Sequence, residues 1–314
     1  MKKIILSAAF ALITFCASAA FGDIFSEMYL NYLVMDDDDY PKVWVIGPST
    51  AGSTQPNLSL SIPTAVTHDG VTYRVTQIDA KAFSGKTNIV QASIGYGITH
   101  IGNEAFKGCT KLVYVRIPSS IQSIGDNAFA SCSALKEVNI ANDDPSTFTT
   151  SASAFPSNSD MTLGVAKTND LRTVTAFNNL SQYSKFATIE LSSSAYDFST
   201  DDSFAMCVTK APSKGVPGEV KLVGVFGNST GAFAPKATYT HSVYSYKLVA
   251  TGFRSCKDQT QIKSFDFSNA TNLKTIDCYT FSGCTNLTSV NLGSTVDQIE
   301  LYAFENVPIS SITI

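Results

Sequence analysis

The sequence has little charge and no excess of basic residues. Only 15% of its 314 residues are charged, and 22 Lys and Arg stand against 26 Asp and Glu, a formal net charge of −4. Nucleic-acid-binding proteins concentrate Lys and Arg to neutralise phosphates, so this composition argues against a nucleic-acid partner. Hydrophobic residues nevertheless make up 44% of the chain. That is enough for a sizeable core and too much for a disordered protein.

Motifs of catalytic or metal centres are also missing. The chain contains no C-x-x-C, H-E-x-x-H, G-x-S-x-G, P-loop or G-x-G-x-x-G pattern. His68, His100 and His241 lie far apart without metal-ligand spacing. The acidic run 36–39 lacks the spaced ligands and the glycine of a calcium loop, so we interpret it as a solvated hairpin turn. We therefore expect neither an enzyme nor a metal or other cofactor, and we assign no catalytic residue.

The first residues have the features of an export signal. A positively charged start, Met1–Lys3, precedes an apolar run over 4–15 and small residues at 17–20. This order predicts a secretory signal peptide over residues 1–19. The apolar run is too short to span a membrane, and no second run of spanning length follows. We expect a protein that is secreted or held at the cell surface, with no integral membrane span.

One pattern recurs six times along the chain. The copies are Ile78–Phe83, Ile101–Phe106, Ile124–Phe129, Leu248–Phe253, Ile276–Phe281 and Ile299–Phe304. Successive Phe residues within a block are mostly about 23 residues apart, and each copy is followed by a second element of the form L-x-x-V-x-I. A unit of this length cannot bury its own apolar face, so the copies must stack into a solenoid.

Each repeat is expected to contain one strand and one turn. The alternating apolar residues of L-x-x-V-x-I predict a short strand whose apolar side chains point inward. The strands of successive copies are expected to pair into a parallel sheet. The segment A-F-x-x-C is expected to form a turn or short helix, with its Phe filling the core on the opposite side.

The repeats resemble the BspA-type leucine-rich repeat family. Residues 101–121 match its pattern I-G-x-x-A-F-x-x-C-x-x-L-x-x-V-x-I-P-x-S-I almost throughout, and the resemblance covers 78–140 and 248–314. It implies a leucine-rich-repeat solenoid on a bacterial cell surface or in the secreted fraction, with a role in adhesion to host matrix proteins and other cells. In two departures, Lys86 replaces the first Cys and residues between 253 and 262 are interpreted as an insertion.

The copies form two blocks, and each block follows a strand-like segment that we interpret as a β-rich cap. The expected divisions are an N-terminal cap over 20–76, a first array with its C-terminal cap over 77–195, a second cap or linker over 196–247 and a second array over 248–314. No cap follows the second array, and an open array end exposes strand edges. Either the natural chain continues beyond Ile314, which we favour, or this edge meets a partner, for example in end-to-end self-association.

Six cysteines remain after the signal peptide. Four of them follow F-x-x at the same repeat position: Cys109, Cys132, Cys256 and Cys284. This position predicts small apolar core residues rather than disulfides, even in an oxidising compartment. Cys207 and Cys278 lie outside the pattern; they could pair, and the sequence leaves this open.

The residues between the apolar positions of each strand are expected to face outward and to form the candidate binding surface. In the first block they are Gln91, Ser93, Tyr114, Arg116, Glu137 and Asn139; in the second they are Ser264, Asp266, Ser289, Asn291, Ser311 and Thr313. Tyr and Arg are frequent binding hot spots. We therefore predict a ligand-binding centre at Tyr114 and Arg116, flanked by Glu137, with Gln91 and Asn139 beside it. The alternative is a plain solvated sheet face.

The sequence thus favours an adhesin-like binding protein whose partner is a host or bacterial surface protein or a glycan. A second hypothesis is a structural protein that assembles with itself and has no discrete ligand. A third, an enzyme with a site assembled across the caps, has no set of residues to support it.

Overall fold

The computed structural model describes residues 22–36, 41–158, 160–166, 172–192, 195–200, 203–213, 215–227 and 230–314. The predicted signal peptide and most of the acidic run 36–39 lie outside these residues. Within them, no helix is both long enough and apolar enough to cross a membrane.

From here on, the first array means the described residues of 22–192, including the expected N-terminal cap, and the second array means those of 195–314. Among the described residues, the first array contains most of the strands and both α-helices. Its strands are β1 Ile24–Glu27, β2 Leu30–Asp36, β3 Lys42–Pro48, β4 Leu58–Ile62, β5 Ala65–His68, β6 Val71–Ile78, β7 Ile89–Ile94, β8 His100–Ile101, β9 Tyr114–Ile117, β10 Ser123–Ile124, β11 Glu137–Ile140, β12 Thr149–Thr150, β13 Thr162–Ala166 and β14 Thr188–Ser192. The helices are α1 Thr50–Thr54 and α2 Arg172–Asn178, and a 3-10 turn covers Ser181–Tyr183.

The second array consists of strands and turns in the residues described. Its strands are β15 Phe198–Ser199, β16 Phe204–Lys210, β17 Gly218–Val225, β18 Ala232–Phe233, β19 Thr238–His241, β20 Tyr244–Thr251, β21 Ser264–Asp266, β22 Thr275–Ile276, β23 Ser289–Asn291, β24 Gln298–Ile299 and β25 Ser311–Thr313.

Each array is a solenoid, as the repeats predict, and its coils contribute strands to two sheets. The described residues form about nine coils in all. In the first array the L-x-x-V-x-I strands form the sheet β14-β13-β11-β9-β7-β4, in which all neighbours are parallel. The other sheet, β1-β2-β3-β6-β8-β10-β12, includes the two-residue strands that begin each repeat. We did not expect this second sheet from the sequence.

Both arrays begin with antiparallel strands that lead into parallel ones. In the first array β1, β2 and β3 pair antiparallel, and β3 then pairs parallel with β6. In the second, β15, β16 and β17 pair antiparallel, and β17 then pairs parallel with β20. Antiparallel strands therefore cover one end of each stack, and the last strand of each set is already part of the solenoid.

A column of phenylalanine rings runs through the core of the first array. The ring centroids lie 4.9 Å apart between Phe83 and Phe106, 5.2 Å between Phe106 and Phe129, and 5.4 Å between Phe129 and Phe155. All four rings are buried. Because Phe155 continues the column, the stretch that we interpreted as the C-terminal cap carries one further copy of the turn.

The turn that carries each phenylalanine has a fixed backbone conformation. Residues two positions before the ring have φ near 55–60°, as at Lys81, Glu104 and Tyr279. The phenylalanine N–H donates to the next coil, and for Phe106 the acceptor is the Ala128 carbonyl at 2.7 Å. These turns contain no regular helix, so the turn alternative of the sequence interpretation is the one observed.

The fourth copy has a different alignment from the one expected. Arg254 has the left-handed φ of 54° found two positions before the ring in other copies. The Cys256 N–H donates to the Thr280 carbonyl at 2.9 Å, as phenylalanine does elsewhere. Cys256 therefore occupies the phenylalanine position, and Phe253 lies three residues before it. Our placement of Phe253 in the core column, and of Cys256 at the usual cysteine position, was wrong.

The expected insertion between residues 253 and 262 is therefore absent. Ile262 follows Cys256 at the same separation as Leu112 follows Phe106, and the extra length of this copy lies later, between 267 and 276. Cys256 is smaller than the phenylalanine of other copies, and two large residues fill the volume that it leaves: one is in β21 and the other follows it directly. Phe265 and Phe267 are buried, and the Phe265 ring lies 5.0 Å from that of Phe281.

Candidate functional site

The outward residues of the first array form two rows across neighbouring strands. Gln91 pairs with Tyr114 and Tyr114 with Glu137, and these three residues form the first row. The second row is Ser93, Arg116 and Asn139, which pair in the same way. Strand register thus brings the five predicted site residues together on one face.

The first row is the accessible one. Gln91 is exposed, and Tyr114 and Glu137 are half-buried. Desolvation raises the pKa of the Tyr114 hydroxyl, so Tyr114 is a neutral hydrogen-bonding group at physiological pH. The Glu137 carboxylate accepts a hydrogen bond from Asn139 Nδ2 at 2.6 Å. The row combines an aromatic ring, an amide and a carboxylate on rigid strands.

Asn139 does not face solvent, contrary to the expectation for its position. Its side chain is completely buried. It pairs across the sheet with Gly164, and a Cβ atom on Gly164 would overlap Asn139 Oδ1. The amide therefore fills the space above a residue that has no side chain. Ser192 on the next strand also borders this space.

Arg116 is covered by the segment that connects the two arrays. Its guanidinium carbon lies 4.1 Å from the ring centroid of Tyr196, a cation–π contact. Tyr196 lies two residues before β15. The second array therefore covers part of the face on which we placed the binding centre, and Arg116 borders a cleft between the arrays.

Asp197, next to Tyr196, holds the connection in place. Its Oδ1 accepts the Ser119 N–H at 2.7 Å, and its Oδ2 accepts both the Ser119 hydroxyl and the Val208 N–H at 2.7 Å. Burial raises the pKa of Asp197 to about 6, and the three donors oppose this rise. The carboxylate thus joins a corner of the first array to β16 of the second.

Further contacts link the arrays around this carboxylate. The rings of Tyr96 and Tyr246 meet edge to face, with centroids 6.4 Å apart. The His241 ring stacks on Phe198 at 4.6 Å, and its Nε2 lies 3.4 Å from the Thr64 hydroxyl. A small apolar cluster completes the interface: Ala141, Ala166, Ala195, Ala205, Cys207 and Val223. No sequence pattern predicts these contacts, because they join residues far apart in the chain.

The corresponding face of the second array is smaller and more polar. Its strands align in register, so that Ser264, Ser289 and Ser311 form one row and Asp266, Asn291 and Thr313 form the other. The Asp266 carboxylate and the Asn291 amide oxygen accept backbone N–H groups of the following turns, at 2.9 and 3.0 Å. These two side chains have a structural role, and this face has no exposed aromatic or basic residue in its rows.

Every cysteine in the described residues is a free thiol. Cys109, Cys132 and Cys284 are buried at the repeat position predicted for them. The Cys109 thiol, for example, donates to the Phe83 carbonyl of the previous coil at 3.2 Å. Cys207 and Cys278 are not paired with each other. In this same part of the chain, no group of three or more His, Cys, Asp or Glu side chains is arranged to hold a metal ion.

The chain belongs to the family described as BspA type leucine rich repeat region. The family's sequence profile matches six copies, over residues 76–209 and 251–314. This match covers more than half of the chain and confirms the resemblance on which the fold was predicted. No curated protein is detectably similar to the chain.

Several solved structures are similar to this protein. A leucine-rich repeat protein from Bacteroides capillosus is 25% identical over 45% of this chain and 97% of its own, with a TM-score of 0.38. One from Bacteroides ovatus is 18% identical over 90% of this chain and 92% of its own, with a TM-score of 0.36. A leucine rich cell surface protein from Faecalibacterium prausnitzii is 17% identical over 93% of this chain and 88% of its own, with a TM-score of 0.31.

Proposed function

We propose that this protein is an exported, adhesin-like binding protein that recognises a surface protein or a glycan through the first array. The observation that carries the proposal is the first row, Gln91, Tyr114 and Glu137, which is contiguous, accessible and held on parallel strands. A rigid sheet presents such side chains with little loss of conformational entropy on binding. The predicted signal peptide and the surface role implied by the repeat family support an extracellular location.

The role of each predicted site residue follows from its accessibility. Tyr114 is the proposed centre, because a half-buried tyrosine offers a large contact area and a hydroxyl group. Gln91 and Glu137 flank it and would supply polar contacts. We do not propose that Arg116 and Asn139 touch a large partner directly, because Tyr196 covers Arg116 and Asn139 is buried.

Binding of purified residues 20–314 to immobilised matrix proteins, glycans and bacterial cells tests the proposal. We expect saturable binding to one of these classes, weakened at least tenfold by Tyr114→Ala, as for a hot-spot residue. Tyr302→Ala is the matched control, because Tyr302 is 56% exposed and lies on the second array. Equal losses for the two variants, or no binding by a folded sample, would contradict the proposal.

The second candidate function is self-assembly. It is favoured by exposed apolar side chains on one coil of the second array: Ile299, Leu301 and Tyr302. Neighbouring exposed apolar groups promote association. Sedimentation velocity over a range of concentrations tests this function. A rising sedimentation coefficient would support it, and a monomer at every concentration would rule it out.

A further inference from the structure

We propose that the cleft between the two arrays binds a small sugar acid, with its carboxylate on Arg116. This site is distinct from the first row, which faces outward on the same sheet. The inference goes beyond the proposed function, because its ligand is a small molecule and it can be tested without any macromolecular partner.

The cleft is bordered by both arrays and by the segment between them. It encloses about 320 Å³, at the lower end of the range for small-molecule sites. Its polar lining comes from both arrays. Ser61, Thr64, Ser93 and Arg116 belong to the first array, and Asp197, Ser199, His241 and Ser242 belong to the second array and its connection. A ligand in the cleft would contact both arrays at once.

Among the described residues, the Arg116 guanidinium has one buried donor that no protein group accepts. Its Nε is buried and has no hydrogen-bond partner among the described residues. The same residues form no salt bridge with Arg116. Its guanidinium lies against the face of Tyr196 and close enough to the Asp197 carboxylate to lower the pKa of that group. A guanidinium presents five N–H donors in a planar fork that matches a carboxylate. A carboxylate in the cleft would satisfy the buried donor that the fold leaves unused.

The other ionisable groups in the cleft are compatible with an anion. The Asp197 carboxylate accepts three hydrogen bonds, two from Ser119 and one from Val208. Burial and the nearby Arg116 lower the pKa of His241, so its ring is neutral at pH 7. Arg116 is therefore the cation that this lining offers to a ligand, and the nearby Asp197 carboxylate favours a ligand with no more than one negative charge.

The remaining lining favours a sugar over a peptide. Hydroxyl groups of Ser61, Ser93, Ser199 and Ser242 border the cleft and can donate to or accept from sugar hydroxyls. The Phe198 and His241 rings form an aromatic wall. The volume is suited to one monosaccharide unit, and the apolar residues of the lining, Ile62, Ile94 and Phe198, can contact the C–H groups of a sugar ring.

Calorimetric titration of the full chain with sodium glucuronate at low salt tests the inference, with glucose and sodium acetate as controls. Glucose lacks the carboxylate, and acetate lacks the hydroxyl groups. We expect glucuronate to bind with a dissociation constant of about 1 mM or below, and each control at least tenfold more weakly. Arg116→Gln should weaken glucuronate binding at least tenfold. Arg254→Gln, which changes an arginine outside the cleft, should leave it unchanged.

The results separate this inference from the proposed function. Tyr114→Ala should weaken macromolecular binding at least tenfold while leaving the glucuronate affinity unchanged. If Arg116→Gln fails to fold, as judged by circular dichroism, Ser93→Ala replaces it and should weaken binding about threefold to tenfold, the range for one hydrogen bond. The absence of glucuronate binding, equal binding of either control, or an unchanged affinity in the cleft variants would overturn the inference.

Discussion

At the scale of single residues, the buried carboxylate of Asp197 has the widest structural consequences. A buried charge is tolerated only when donors or opposite charges surround it. Here the donors come from Ser119 on one array and Val208 on the other. One side chain thus satisfies backbone groups from both sides of the interface, and its protonation state affects how the arrays pack.

The pKa of Asp197 predicts a pH-dependent stability. Its value of about 6 lies above the ordinary value of about 3.9 for the unfolded chain. The folded chain therefore binds this proton more tightly, and the resulting stabilisation is complete below about pH 4 and lost as the pH rises through about 6. Relative to Asp197→Asn, the native protein should lose roughly 3 kcal/mol of unfolding free energy between pH 4 and pH 7.

Urea unfolding at pH 4, 5, 6 and 7 measures this difference. Asp297→Asn, at an exposed position, controls for the general effect of removing a carboxylate. If the native protein and Asp197→Asn keep a constant difference in unfolding free energy across this range, the pKa assigned to Asp197 is wrong.

At the scale of elements, the repeated coil explains why much of the fold could be predicted from the sequence. Alternating apolar residues in L-x-x-V-x-I predicted the parallel sheet, and the regular spacing of Phe83, Phe106 and Phe129 predicted the core column. The second sheet escaped prediction because strands such as His100–Ile101 are too short to show any alternation. Pairing with neighbouring coils, rather than local preference, makes them strands.

The fourth repeat shows the limit of spacing arguments. Phe253 is followed by a cysteine three residues later, as in the other copies, so pattern matching alone selects it for the core column. The structure shows instead that Cys256 is in the column: its N–H donates to the Thr280 carbonyl, and Arg254, two positions before it, has a left-handed φ. Phe265, in β21, and Phe267, directly after it, are bulky and buried, so they fill the core volume that a small residue in the column leaves open.

Two alanine substitutions test this alignment. Phe281 is completely buried and stacks on Phe304 at 5.3 Å, so Phe281→Ala should cost about 3–5 kcal/mol of unfolding free energy. Phe253 is buried against the edge of the Tyr279 ring, but it is not part of the main apolar cluster of the second array, so Phe253→Ala should cost less, about 2 kcal/mol. Urea unfolding of both variants measures the costs. Equal, large costs would favour the alignment first expected from the sequence.

At the scale of the whole molecule, the packing of one array on the other determines which predicted site residues are accessible. The sequence correctly grouped Gln91, Tyr114, Arg116, Glu137 and Asn139 on one face, because strand register follows from the repeat. It could not show that Tyr196 covers Arg116 or that Gly164 leaves room for Asn139 to be buried. Both outcomes depend on contacts between residues that are distant in the chain.

The packing also assigns different roles to the two outward rows of the first array. The first row stays accessible and is the proposed surface for a large partner. The second row leads into the cleft, where the proposed ligand is small. Both proposals depend on the arrays being held together as the Asp197 contacts indicate.

Amide hydrogen exchange at Ser119 tests this packing most directly. Its N–H donates to Asp197 across the interface, so it should exchange slowly in the native protein and at least tenfold faster in Asp197→Ala. The Phe106 amide, which donates to Ala128 inside the first array, is the internal reference and should be unaffected. Equally fast exchange at Ser119 in the native protein and the variant would contradict the joined arrangement of the two arrays.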